Sequence, residues 1–254
     1  MKIHYSHHYG RMSDCDLAFC LVNATSVSKE EEGYALENGW TRDEEESRGS
    51  LWWQTRSTRL KVSEFKFNRK ARKMLRPAKG IEAKFRHAKE CSVQELNEVY
   101  IKYCNYKKYP IENNYIEDCL KDIDENYVGE YRENGILRGY VVCRIHHETA
   151  KAMTSIQFCW DYENPRLYLG KYSLIKEMEF AKEMGFEWVY MGDGYQKICQ
   201  YKCYMPGFQF WTGRKWSKDI NFYKELTNND DKIKTVQDLD KLSKDYLENK
   251  TFEK

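Results

Sequence analysis

Apolar and polar positions along the chain switch several times between the repeat of a helix and the alternation of a strand. In the first ninety residues the pattern is mixed and irregular, and Leu17-Ala18-Phe19-Cys20-Leu21-Val22 is a short apolar run. Ser28 to Gly39 predicts a helix, with Ser28 three before Glu31 as a capping box and Gly39 at the stop. Residues 50–55 and 58–62 alternate as strands do. Arg69 to Leu75 starts a basic helix that Pro77 ends. A second unit begins near Cys91. Ser92 caps a helix, Glu95 closes its box, and Leu96, Val99, Tyr100 and Tyr103 share one face. Tyr109-Pro110 breaks that helix, and Ile116, Cys119, Leu120 and Ile123 mark another.

The period then changes to two. Residues 127–131 and 136–145 flank Asn134-Gly135, a strong hairpin signal, and Ala152 to Trp160 continues as a third strand. Gly170-Lys171-Tyr172-Ser173 leads into a helix from Leu174 to Met184, closed by Gly185. Trp188 to Met191 reads as a buried strand, and Phe208 to Trp216 as an aromatic hairpin turning at Thr212-Gly213. Beyond Tyr223 the tail is charged, with Val236, Leu239, Leu242 and Tyr246 marking a last amphipathic helix. Helices, antiparallel strands, a Gly-led helix and a further strand follow the element order of a GNAT-like acyltransferase. The expected class is α+β with one sheet, preceded by an N-terminal mixed α/β module. The expected parts are residues 1–90, a catalytic unit over 91–223 and a helical tail over 224–254.

Composition narrows this picture. A chain of 254 residues builds one or two domains, and no uncharged apolar stretch of about 18 residues is present to span a membrane. The nine cysteines are an odd number, scattered, in a chain whose first residues lack the apolar run of a signal peptide. Free thiols in a reducing cytoplasm are the natural expectation. His4, His7 and His8 with Cys15 and Cys20 match no standard zinc spacing, so no metal is expected. Charge is segregated: residues 56–90 hold thirteen Lys and Arg against three Glu, in a chain of net charge +2. Such a segment is either a solvated surface or an electrostatic footprint for nucleic acid.

One ordered set of motifs bears on this choice. Asp161-Tyr162-Glu163-Asn164-Pro165, Leu169-Gly170-Lys171-Tyr172-Ser173-Leu174-Ile175-Lys176-Glu177, Ala181-Lys182-Glu183-Met184-Gly185, Val189-Tyr190-Met191-Gly192, Tyr201-Lys202, Pro206 and Trp216 follow one another. That order resembles the C-terminal half of arginyl-tRNA–protein transferases and their bacterial leucyl-transferring relatives, over about fifty residues. A weaker echo lies upstream in Gly39-Trp40-Thr41-Arg42, in Arg59 to Phe65 and in Arg69-Lys70-Ala71-Arg72. The resemblance implies an aminoacyl-tRNA donor, a protein or peptide acceptor, no cofactor, and tRNA contacts from Arg56, Arg59, Arg69, Lys70, Arg72 and Lys73. The chain also departs from the family. Cys15 and Cys20 do not form a CxxC pair, and Trp52-Trp53 stand where adjacent cysteines are expected. The segment between Gly192 and Tyr201 is shorter, which leaves the transferred and accepting amino acids open.

The implied reaction is attack of an amine on the ester carbonyl of aminoacyl-tRNA. Holding the partners together contributes about 7–11 kcal/mol to such a step. Deprotonating an α-amine of pKa about 7.7–8.0 at pH 7 costs only about 1 kcal/mol, so positioning outweighs base catalysis. Asp193, between Gly192 and Gly194 past a predicted strand, is the first catalytic candidate, with Tyr195 beside it; an Asp-Gly turn is the plain alternative. Gly170, Lys171 and Tyr172 precede a helix whose free N–H groups suit an anion, or form an ordinary turn. Tyr201 and Lys202 suit the tRNA end, or pair on an exposed strand. Tyr190 and Trp211 are core aromatics, or line a pocket for the terminal adenosine. A CoA-dependent N-acetyltransferase would need a Gln/Arg-x-x-Gly-x-Gly/Ala loop. Arg166-Leu167-Tyr168-Leu169-Gly170-Lys171 is one residue too long for it and lacks the second glycine. A non-catalytic RNA-binding protein of the same fold is the third reading.

Overall fold

The computed structural model describes residues 20–23, 27–42, 51–54, 56–120, 125–146, 148–194 and 197–233, with 238, 241, 242 and 244 of the tail. Its main sheet grows from a meander. Strands β6 (Asn126–Glu133), β7 (Ile136–Ile145) and β8 (Ala152–Trp160) pair antiparallel in sequence order. The turn between the first two places both Asn134 and Gly135 at positive φ (52° and 82°), the backbone twist a tight hairpin requires. Strand β5 (Ile81–His87) adds at one edge. On the other side β8 meets β9 (Trp188–Asp193) in parallel, so their connection must cross over, and the helix α5 (Leu169–Glu183) makes that crossover. Beyond β9 come β4 (Ser57–Lys61), β10 (Phe208–Trp211) and β11 (Trp216–Ser217), giving the order β11-β10-β4-β9-β8-β7-β6-β5. A separate sheet joins β1 (Cys20–Asn23), β3 (Leu51–Gln54) and β2 (Trp40–Arg42) in the order β1-β3-β2.

Each face of the large sheet is covered. Helices α3 (Val93–Lys107) and α4 (Tyr115–Leu120) seal one face through Leu96, Val99, Tyr100, Ile116 and Leu120 against Val128, Tyr140 and Val142. On the other, α5 sets Leu169, Leu174, Ile175 and Met178 against Tyr131, Val141, Cys143 and Val189, and α2 (Arg69–Leu75) packs beside it. The predicted GNAT-like order of elements is thus present, α+β around one large mixed sheet. The capping signals hold as well. Ser28 N–H donates to Glu31 Oε2 (3.0 Å), ahead of α1 (Glu32–Glu37), and Ser92 Oγ accepts from Glu95 N–H (3.3 Å).

Three expectations change. The long helix starts at Leu169, not after Ser173, because Tyr168 in the left-handed region (φ 50°) acts as its N-cap. Lys171 and Tyr172 therefore already donate their N–H groups to Tyr168 O. Strands β2 and β5 and helix α6 (Ile220–Asn228) were not expected. The last is capped by Asp219 and buries Phe222, Tyr223, Leu226 and Thr227. Leu17 to Phe19, Ile123, and Val236, Leu239 and Tyr246 of the expected tail helix lie outside the described residues.

Candidate active site at the parting of two strands

Strands β8 and β9 run together for three residues only, Ala152 to Thr154 against Trp188 to Tyr190. After that β8 follows β7 to Trp160 while β9 stays with β4, out to Asp193 opposite Ser57. A cavity of about 190 Å³ opens at this parting. Its wall takes Ser155 and Phe158 from β8, Gly170, Ser173 and Glu177 from α5, Met191 from β9, and Tyr201 and Lys202 from the 3-10 turn Lys197–Tyr204.

A β-bulge aims Ser155 into it. Val142 pairs with Gln157 and the next residue, Cys143, with Ser155, so one residue of β8 is extra. Adjacent residues of a strand face opposite ways, and the bulge therefore puts Ser155 and Gln157 on opposite faces. Gln157 accepts from Tyr115 OH (2.9 Å) on the α3–α4 side. Ser155 donates to Glu177 Oε2 on the α5 side.

Glu177 is the centre of the polar wall and only 4% exposed. Ser173, one helical turn earlier, donates to its Oε1 (2.6 Å). With that proton committed, Tyr131 OH donates to Ser173 Oγ (2.8 Å), which extends the chain to β6. Burial raises the proton affinity of Glu177, against the two hydroxyls and the positive charge of Lys202, which lower it. Lys202 Nζ donates to Met191 O (2.7 Å), fastening the 3-10 turn to the end of β9.

Three of the residues singled out in the sequence thus meet here: Gly170, Tyr201 and Lys202. Lys171 is exposed, its ammonium 5.4 Å from the Tyr168 ring. Tyr172 points away into the core and donates to Ile81 O (2.8 Å). Tyr190 and Trp211 are buried at a second cluster around Trp216. Gly192, at φ 64°, accepts at its carbonyl from Thr58 Oγ1 (2.9 Å). The backbone of Asp193 closes β9; its side chain, and Tyr195, lie outside the described residues. Ser155, Ser173, Glu177 and Tyr131 escaped the sequence reading. The available signal was a glutamate between Leu174 and Met178 in the apolar stripe of a helix, with a serine four residues before it.

The basic segment is corrected in part. Arg56 is 0% exposed and pairs with Asp230. Arg59, at 5%, lies between the rings of Trp188 and Trp216. Both belong to interior chemistry, Arg59 because β4 is a central strand with Ser57 to Leu60 all buried, and Arg56 just before it through its pair with Asp230. Arg69, Arg72 and Lys73 do stand exposed on α2; the Lys70 side chain lies outside the described residues.

Comparison with known proteins decides what this architecture is related to. Residues 89–208 match the family model of the arginine-tRNA-protein transferase C terminus. The resemblance read from the sequence is borne out, and the matched span holds every residue named around the cavity. The upstream echo at Gly39–Arg42, Arg59–Phe65 and Arg69–Arg72 falls outside the matched residues. No curated protein matches the chain in sequence. Among solved structures, the chain is similar to the C-terminal domain of an Agrobacterium fabrum protein described as a lysylphosphatidylglycerol synthetase (16% identity, 55% of this chain and 46% of that one, TM-score 0.46). It is also similar to L-PGS from Bacillus licheniformis (14%, 65% and 52%, TM-score 0.44) and to FemX (8%, 54% and 52%, TM-score 0.42). The chain spans about half the length of the solved chains it matches. No helix among the described residues is long and apolar enough to cross a membrane.

Proposed function

We propose that the chain is a tRNA-dependent aminoacyltransferase, which moves an amino acid from aminoacyl-tRNA to the amine of a protein or peptide. The observation that carries this reading is the transferase family match over 89–208, which encloses the whole wall of the β8–β9 cavity. The ester of the donor is already activated, so a pocket that aligns amine and carbonyl supplies the larger part of the acceleration. In this reading residues 91–223 perform the transfer and Asp193 and Tyr195 contact the acceptor. Residues 1–90 bring the basic tRNA-facing helix, residues 224–254 form a tail, and the reaction takes place in the cytoplasm. Incubation with tRNAs carrying radiolabelled amino acids and with peptides bearing free N-termini should give labelled peptide. Absence of transfer from every charged tRNA overturns the reading. A rise in melting temperature with acetyl-CoA, and none with tRNA, would favour an N-acetyltransferase instead.

The tRNA footprint has its own test. Replacing Arg69, Arg72 and Lys73 by Gln should make the salt dependence of tRNA binding shallower, by about 0.9 in log–log slope for each duplex phosphate no longer neutralised. An unchanged slope would place the tRNA away from α2.

A further inference from the structure

The chemistry around Glu177 goes further than the reaction class. A buried carboxylate is ordinarily paired with a cation. Here, among the described residues, the two hydrogen bonds to Glu177 come from neutral hydroxyls, Ser155 on β8 and Ser173 on α5. The ammonium of Lys202 contributes through its field, and it donates a hydrogen bond to Met191 O. An ionised carboxylate offers about four lone-pair sites, and the hydroxyls use two. The residue borders a cavity, and the bulge in β8 exists at the position that turns Ser155 toward it. Such a carboxylate has room for a cation.

We propose that Glu177, held between Ser155 and Ser173, binds the primary ammonium group of the acceptor and takes the first proton that group must lose. The inference rests on the transferase reading. Two ammonium groups reach such a site, the acceptor's amine and the α-ammonium of the aminoacyl donor. Only the acceptor has to be deprotonated, and a carboxylate whose burial favours the protonated form suits that task. One proton passes from the ammonium to Glu177. The neutral nitrogen attacks the ester carbonyl carbon, a C–N bond forms, and the bond from that carbon to the ribose oxygen breaks. The second proton goes to the departing ribose oxygen, and Glu177 returns its own to water, so one proton is released per transfer. Other groups facing Glu177 are Tyr131 from β6, Cys143 from β7, and Tyr201 and Lys202 from the 3-10 turn. Burial pushes Tyr131, Cys143 and Tyr201 upward, so they stay neutral while Glu177 titrates.

Calorimetric binding of one peptide with a free N-terminus and of its N-acetylated form separates this inference from the transfer reading. The wild-type chain should bind the free-amine peptide at least about tenfold more tightly, and Glu177→Gln should bind both alike. In transfer assays Glu177→Gln should lower kcat by about tenfold at pH 7, the factor by which an α-amine of pKa about 7.7–8.0 is protonated there, and move the acidic limb of the pH profile up to the amine's own ionisation. Retention of both the amine preference and the wild-type position of the acidic limb in Glu177→Gln overturns the inference. So does an acidic limb that moves up in Asp193→Asn but stays in place in Glu177→Gln. Loss of discrimination only between α-amino and N-blocked aminoacyl-tRNA would give the seat to the donor and also overturn it. Should Glu177→Gln fail to fold, Ser155→Ala and Ser173→Ala carry the same test: each should weaken the amine preference, and an undiminished preference in both is an overturning result. A wild-type chain that transfers from no tRNA fails the reaction class, while the binding comparison still reports on Glu177.

Discussion

Replacing Arg59 by alanine should destabilise the protein by about 3–5 kcal/mol, the range for losing desolvated cation–π contacts and emptying the space of a large buried side chain. The guanidinium carbon sits 3.7 Å from the ring centre of Trp188 and 4.0 Å from that of Trp216. Its Nε donates to Gln209 Oε1 (3.0 Å), and its Nη1 to Tyr190 OH (3.2 Å) and Glu37 Oε1 (2.8 Å). Glu37 is half exposed, so the ion pair by itself contributes little, roughly 0–1 kcal/mol. The larger share lies in two desolvated cation–π contacts, worth about 2 kcal/mol or more at such sites. The emptied space between two indoles adds to it. Arg59→Lys keeps the charge, loses the planar fork that stacks and branches, and should fall between the two. Urea unfolding at constant slope is the measurement. An Arg59→Ala chain within about 1 kcal/mol of wild type, small against the predicted loss, would mean that the sandwich is not what holds β4 to its neighbours.

The same residue shows what the sequence could and could not reveal. The charge count over 56–90 is right as composition, and α2 presents Arg69, Arg72 and Lys73 outward as such a count suggests. Arg59 was misplaced because its strand pairs with β9 and β10, about 130 to 150 residues later, and nothing local says that β4 is central. Local signals served well where partners are near in sequence, as at the Ser92 cap, the Asn134-Gly135 hairpin and the Arg69–Leu75 helix. Strand β5 was hidden by Lys84 and Arg86, whose charges are tolerated on an edge strand. Helix α6 was legible in the spacing of Phe222, Tyr223 and Leu226 behind the cap Asp219, and its short length concealed it.

The site was half legible in a similar way. Motifs led to Gly170, Tyr201 and Lys202, which do border one cavity. Glu177 stood in the same quoted motif, yet its partner Ser155 depends on a one-residue bulge. Strict alternation would place Ser155 beside Gln157, facing α3, and leave Glu177 with Ser173 alone. A single extra residue in β8 thus decides which side of the sheet carries the chemistry.

The second large effect is expected at Gly39, where local signal and tertiary contact coincide. It follows α1 at φ 76°, donating its N–H to Leu36 O (3.1 Å) and accepting at its carbonyl from Ser57 Oγ (3.0 Å). Any L side chain there meets left-handed strain of about 1–2 kcal/mol. It also meets Trp211: a Cβ at this position would lie 2.4 Å from the indole ring, far inside contact distance. Trp211 is buried, so the ring cannot swing into solvent, and overpacking of this kind adds about 1–3 kcal/mol. Gly39→Ala should therefore lose several kcal/mol in urea unfolding, with the damage centred where α1 meets the β10–β11 hairpin. The two causes separate in a double-mutant cycle. In a Trp211→Ala background the clash is gone, and the loss from Gly39→Ala should shrink to the strain of the backbone alone. A loss of the same size in both backgrounds would show that the indole yields without resistance, leaving the left-handed turn as the whole requirement for glycine.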